Sequence, residues 1–196
     1  MKKTILLAAI AVFGLTKMNA QDDFVEKAKT GGFYIGANIG LPLSTSSDIA
    51  SFNFGFDGAY LFEIIDNLEI GGLIGYTHFI ADGSYSYNRY FDDELYIIAD
   101  YTDASFVPIA ASARYYFADR KFFGGLDLGV GVNVSGDAKS GFYARPKFGF
   151  DLGTIAIIAS FQSISGGVDY GDTYSGGTYV SGSGFNSFNF GVEFGF

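Results

Sequence analysis

Asn189-Phe190-Gly191-Val192-Glu193-Phe194-Gly195-Phe196 is the stretch whose reading decides the fold. Apolar side chains at 190, 192, 194 and 196 alternate with Asn189, Gly191, Glu193 and Gly195. A period of two is the mark of a strand with two unlike faces. Phe190, Phe194 and Phe196 then form an apolar ladder on one face, and the Glu193 carboxylate points to the other. Phe188 and Ser187 carry the alternation further back.

Working outward from this segment, the same pattern recurs along the chain from Phe33 onward. Phe33, Ile35, Ala37, Ile39 and Leu41 alternate with Tyr34, Gly36, Asn38 and Gly40. Phe52, Phe54, Phe56, Tyr60 and Phe62 alternate with Ser51, Asn53, Gly55 and Asp57. Leu68, Ile70, Ile74 and Tyr76 stand against Glu69, Gly71, Gly75 and Thr77. Val107, Ile109, Ala111, Ala113, Tyr115 and Phe117 stand against Ala110, Ser112, Arg114 and Tyr116. Phe122, Leu126, Leu128, Val130 and Val132 oppose Gly125, Asp127, Gly129, Gly131 and Asn133. Phe142, Ala144, Phe148, Phe150 and Leu152 oppose Tyr143, Arg145, Lys147 and Asp151. Ile155, Ile157, Ala159 and Phe161 oppose Ala156, Ser160 and Gln162, with Ile158 blurring the register. Eight runs make an even number, as a closed single-chain membrane barrel requires. The Pro146 residue lies in mid-strand, where a closed sheet has no edge to spare a donor, and predicts a bulge.

The connections alternate in length. They are tight at Asp66-Asn67, at Ala118-Asp119-Arg120-Lys121 and at Gly153-Thr154, and long at roughly 42–50, 80–104 and 164–184. Only 135–140 is short on the second side. Short turns at one rim and long loops at the other match an outer-membrane barrel with the short turns periplasmic. Lys2 and Lys3 precede an uncharged run from Ile5 to Leu15, and Ala20 offers a small residue before Gln21. That pattern is a signal peptide over 1–20, cleaved after Ala20. The apolar run is too short to cross the bilayer as a helix, which needs about 20 residues. Residues 21–31 are then a periplasmic stub and 32–196 the barrel. Cleavage removes Lys2, Lys3 and Lys17, so the 12 bases against 21 acids become nine against 21, a formal charge of −12.

Composition closes off other classes. The 196 residues hold no Cys, which excludes a disulfide framework, a thiolate metal site and a cysteine nucleophile. A net charge of −9 argues against nucleic acid as a partner. The 28 Gly and 36 Phe plus Tyr fit two surfaces, with small residues on a cramped inside and large aromatics on an open outside. A soluble barrel would turn its apolar face inward, but the five aromatics from Phe52 to Phe62 would crowd an eight-stranded interior. The opposite choice would put Arg145 and Lys147 in lipid, at about 2–4 kcal/mol each near the midplane. The apolar face therefore belongs to lipid.

Two segments resemble a known family. Asn189, Gly191, Phe194 and Phe196 are spaced as in the C-terminal signal that outer-membrane barrels present to their assembly machinery. Pro108-Ile109-Ala110-Ala111-Ser112-Ala113-Arg114-Tyr115-Tyr116-Phe117, followed by a charged turn, looks like a middle strand of the small outer-membrane β-barrel family, the porin-like and OmpA/OmpX-like group. The resemblance covers about 31–196. It implies an all-β, eight-stranded antiparallel, transmembrane up-and-down barrel in the bacterial outer membrane, acting as a monomer among outer-membrane lipid and lipopolysaccharide. The chain stops at the barrel, so the peptidoglycan role of full OmpA-type proteins does not carry over.

The candidate site is the inward charge set, Asp57, Glu69, Asp127, Asp151 and Glu193 against Arg114, Arg145 and Lys147. Mutual pairing would make it a filler that closes the barrel, since a buried charge needs a partner. Exchange of partners would instead make it a narrow pore for small solutes or ions. His78, the single histidine, lies at the upper end of the third run, with Ser84 and Ser86 nearby. It frames a third class, a lipid-modifying enzyme, but no carboxylate stands at triad spacing, so no catalytic residue is assigned. No metal site or cofactor is expected, and Gly129-Val130-Gly131 is strand alternation with no helix after it. Tyr and acid dominate the long loops, with Tyr85, Tyr87, Tyr90, Asp92, Asp93, Glu94, Tyr96, Asp100, Tyr101 and Asp103 in one and Asp169, Tyr170, Asp172, Tyr174 and Tyr179 in the other. Such a mixture makes an adaptable contact surface for an extracellular partner. The expected function is non-enzymatic, with a structural or surface-interaction role.

Overall fold

The computed structural model describes residues 29–43, 50–81, 88–91, 94–97, 103–136, 138–167, 169–171, 178–180 and 184–196. The expected signal peptide, most of the expected stub, and Ser84 and Ser86 lie outside them, as do the loop side chains from Tyr85 to Tyr101 and from Asp169 to Tyr179. Eight long strands form a closed barrel: β1 (Lys29–Pro42), β2 (Ala50–Ile65), β3 (Leu68–Ala81), β6 (Ala104–Phe117), β7 (Phe122–Ser135), β8 (Gly141–Asp151), β9 (Ile155–Ile164) and β12 (Phe185–Gly195). Each pairs antiparallel with the next barrel strand in the chain, and β1 closes on β12 from Tyr34↔Gly195 to Pro42↔Ser187. Two short hairpins, β4 (Asn88–Phe91) with β5 (Glu94–Ile97) and β10 (Asp169–Gly171) with β11 (Thr178–Val180), lie within the long connections. The chain is an all-β, closed, eight-stranded up-and-down barrel.

The apolar face points outward on every strand. Ile39, Phe56, Ile74, Ile109, Val134, Phe142, Ile157 and Phe190 are all at least half exposed. The polar face lines the interior, where Asn53, Asp57, Glu69, Arg114, Asp127, Arg145, Lys147 and Glu193 are buried. This inverts the arrangement of a water-soluble protein. Each large apolar side chain left in water forgoes about 1.5–3 kcal/mol of burial.

The short turns show how the sequence meets the twist of the hairpins. Asn67 has φ 69°, a left-handed value that Asn tolerates, and its N–H donates to Glu63 Oε1 at 3.2 Å. In the β8–β9 turn, Gly153 takes φ 103° and its N–H donates to Asp151 Oδ1 at 2.6 Å. The β6–β7 turn is different. Ala118, Asp119 and Arg120 have φ of 51°, 56° and 61°, three successive residues with a Cβ in the left-handed region. Each such residue costs on the order of 1 kcal/mol.

Two sequence expectations change here. Pro146 makes no bulge: β8 keeps one register with β7 and with β9. The β8–β9 ladder simply skips Arg145 and Pro146, so the missing N–H falls in that gap. Pro108 is handled alike, because the β3–β6 ladder skips from Ile74↔Ile109 to Thr77↔Phe106. Nor is the inside reserved for small and polar residues. Leu61, Phe79, Phe106, Tyr116, Phe123, Tyr143, Ile164 and Phe185 are buried there. Inward glycines leave the room that these side chains fill, as where a Cβ on Gly149 would strike the Phe123 ring.

Candidate functional site

The interior is built in layers. At the long-loop end Phe79 of β3, Phe106 of β6 and Phe185 of β12 meet in the middle, their ring centroids 5.0 to 6.2 Å apart. Tyr143 and Ile164 complete an apolar plug. A polar layer follows, where Asn53 Nδ2 donates to Asn189 Oδ1 at 2.7 Å and Thr77 Oγ1 to Gln162 Oε1 at 3.4 Å.

The charged layer comes next. Asp127, fully buried, receives Arg145 Nε on one oxygen and Lys147 Nζ on the other, both at 2.8 Å. Arg145 Nη1 reaches across to Asp57 Oδ2 at 2.8 Å, and Lys147 Nζ also donates to Ser112 Oγ at 3.3 Å. Asp127 and Arg145 are direct cross-strand partners, whereas Asp57 arrives from the opposite wall. Such pairing is required, because a buried ion without a partner costs several kcal/mol.

Arg114 and Glu193 form a second, bidentate pair at 2.7 and 3.0 Å. The guanidinium lies between the Tyr34 and Phe123 rings, 4.3 and 4.7 Å from their centroids, so both of its faces are covered. At the short-turn mouth Glu69 Oε2 accepts Tyr34 OH at 3.0 Å, while Arg120 Nη2 donates to Glu69 Oε1 at 2.6 Å. Arg120 Nη1 also donates to Glu63 Oε1 at 3.1 Å, and its guanidinium lies 4.0 Å from the Tyr116 ring centroid.

Seven of the eight expected charges are thus brought together. Asp151 is not: its side chain is half-buried at the β8–β9 turn and serves the Gly153 N–H instead. Its place in the alternation was right, but the strand ends there. Sequence reasoning missed Arg120, Tyr34 and Tyr116. Arg120 sits in a turn, where alternation assigns no face, although a cation beside the mouth was visible in the charged turn.

A cavity of about 20 Å³ lies among Asn38, Asp57, Arg145, Lys147, Ser160 and Glu193. That is room for about one water, and Asn38 Oδ1, which has no protein partner, offers it an acceptor. It is far smaller than a lumen.

His78 faces outward with Tyr76 and Ile80, its ring 5.2 Å from that of Phe54. Its partner is Ser105, directly opposite on β6. Ser105 Oγ lies 2.8 Å from Nδ1 and accepts Tyr76 OH at 3.0 Å; Asp103 Oδ2 lies 3.4 Å from Nε2. Asp103 Oδ1 is held by the Ala81 N–H at 2.8 Å. The connectivity is that of a Ser–His–Asp triad, but the surroundings are not. Ser105 is 3% exposed beneath its partners. It is paired to His78 on one side and Ser135 on the other, so its backbone offers no free pair of N–H groups to an oxyanion. The group ties the end of β3 to the start of β6, at the base of the longest connection.

No family model and no curated protein matches the chain. Among solved structures it is similar to the crystal structure of Neisserial surface protein A (NspA), with 14% identity and a TM-score of 0.47 over 86% of this chain and 100% of that one. It is also similar to the Yersinia pestis outer membrane protein Ail in a phospholipid bilayer nanodisc, with 12% identity and a TM-score of 0.45 over 85% of this chain and 100% of that one. The architecture is that of a closed, eight-stranded antiparallel β-barrel. What the chain does is read from its own two surfaces.

Proposed function

We propose that this chain is an integral protein of the bacterial outer membrane, non-enzymatic, with a structural or surface-interaction role. The carrying observation is the inversion of its surfaces, with phenylalanine, isoleucine and leucine exposed around the barrel and paired charges buried within. A continuous apolar belt of this kind is far larger than the patches soluble monomers expose. Its partner is lipid, with lipopolysaccharide on the outer side. The Tyr- and Asp-rich connections between β3 and β6 and between β9 and β12 are the surface offered to an extracellular partner. Residues 1–20 serve export, 21–31 form a periplasmic stub, and Asn189, Gly191, Phe194 and Phe196 are read by the assembly machinery.

Fractionation tests the placement. The full chain should partition with the outer membrane and migrate differently on a gel before and after boiling. Recovery as a soluble periplasmic protein would end the proposal. The plug of Phe79, Phe106 and Phe185 and the filled charge layers favour a closed interior over a pore. Planar bilayers holding the purified chain should therefore show no steady conductance, and open channels would restore the pore reading.

The sealed Ser105 likewise favours a clasp over an esterase. His78→Ala and Ser105→Ala should each leave the lipid profile of the membrane unchanged while lowering the unfolding midpoint slightly, by about 1 kcal/mol per lost hydrogen bond. A changed acyl profile in either variant would contradict the clasp.

A further inference from the structure

The β6–β7 turn is folded against the preference of its own residues, and the gain lies in where it puts Arg120. Lys121 N–H closes the turn on the Ala118 carbonyl at 3.2 Å, with Asp119 and Arg120 as central residues, both at positive φ. Hairpin turns of that form are ordinarily written with Asn and Gly. Here they are written with Asp and Arg, and the arginine turns back under the mouth of the barrel.

Its three contacts are all made by the guanidinium: Glu69 at 2.6 Å, Glu63 at 3.1 Å, and the Tyr116 ring at 4.0 Å. Relaxation of the turn, which carries the guanidinium away, breaks all of them together. Glu69 depends on Arg120. Among the described residues the interior carboxylates Asp57, Glu69, Asp127 and Glu193 face the interior cations Arg114, Arg145 and Lys147, so Arg120 supplies the fourth positive charge. With Arg120 out, Glu69 keeps only tyrosine hydroxyls. At 41% side-chain exposure Arg120 is also the member of the network that water reaches most easily.

We propose that Arg120 is a latch across the short-turn mouth, held shut by Glu69, Glu63 and Tyr116 against the backbone preference of its turn. Its release admits water to the buried floor around Tyr116, Phe123 and Ala156. Neither the contacts nor the turn depends on which compartment faces this rim, so the latch stands or falls apart from the membrane placement.

The absence of cysteine makes single-cysteine reporters clean. Ala156→Cys places a thiol in the floor behind the latch, and Ala110→Cys places one in the upper apolar cluster. The full chain, refolded in detergent micelles, is treated with a charged methanethiosulfonate reagent. Adding Arg120→Ala should speed modification at 156 about tenfold and leave 110 unchanged, as a local opening requires. Adding Asp119→Gly, which removes the cost of one left-handed residue while keeping Arg120, should slow modification at 156 about threefold. Three outcomes would overturn the latch: an unchanged rate at 156 without Arg120, equal acceleration at both reporters, or an unchanged or faster rate with Asp119→Gly.

Discussion

Replacing Asp127 by Asn should destabilise the barrel by about 3–5 kcal/mol, the cost of leaving a buried cation without its counter-ion. Asp127 is fully buried and holds two cations at 2.8 Å each. They are not equally exposed to its loss. Arg145 retains Asp57 at 2.8 Å, but Lys147 retains only the Ser112 hydroxyl at 3.3 Å. Lys147 is therefore the stranded charge, and the cure follows from that. Lys147→Met alone leaves Asp127 paired with Arg145 and should cost less than Asp127→Asn. The double variant Asp127→Asn/Lys147→Met should recover about 2 kcal/mol of the single-variant loss, a coupling expected of contacting residues. The urea midpoint of refolding, followed by the gel mobility of folded and unfolded forms, measures all three. A double variant no more stable than Asp127→Asn would show that Lys147 does not rely on Asp127.

That network was half legible in the sequence, and the boundary is physical. Alternation assigns a face to every residue of a strand, so the inward position of Asp57, Glu69, Arg114, Asp127, Arg145, Lys147 and Glu193 could be read directly. Local pairing was within reach as well. Asp127 and Arg145 lie equally far from Gly136, the first residue of the short β7–β8 connection, and they are cross-strand partners. Pairs across the barrel were not. Arg114 stands opposite Glu69 on the neighbouring strand, yet it binds Glu193 from β12, while Glu69 binds Arg120. Tilt and shear decide which walls meet, and no local period carries them. Ser105 escaped for a related reason. It faces His78 only once the β3–β6 register is known, and a long connection hides that register. The nearer serines drew attention because proximity along the chain was the only measure available.

The aromatic plug marks the other limit. Phe79, Phe106 and Phe185 belong to runs whose outer faces are already rich in large residues, so composition alone sends phenylalanine outward. Inward, each needs space that neighbours must vacate. Gly131 lies against the Ile164 side chain and Gly149 beneath the Phe123 ring. The high glycine content is thus partly a negative image of the interior aromatics.

Some glycines answer to the backbone rather than to a side chain, and they give the second large effect. A Cβ on Gly129 would strike the Ile109 carbonyl oxygen, and one on Gly71 the Tyr60 carbonyl oxygen, each on the adjacent strand. A flexible side chain can move aside; a carbonyl fixed in a closed ladder cannot move without shifting the strand. Gly129→Ala and Gly71→Ala should each cost about 3 kcal/mol, at the upper end of overpacking penalties. Gly72→Ala is the internal control, because it lies next to Gly71 in the same strand and nothing stands within 4 Å of its Cβ position. It should change stability by less than about 0.5 kcal/mol. Glycine in a strand is itself unfavourable, so mere loss of conformational freedom predicts that all three variants stabilise the barrel. The two accounts thus differ in sign at 71 and 129, and refolding midpoints of the three alanine variants separate them. Equal behaviour of Gly71→Ala and Gly72→Ala would mean that the close approach of the strands does not limit the barrel.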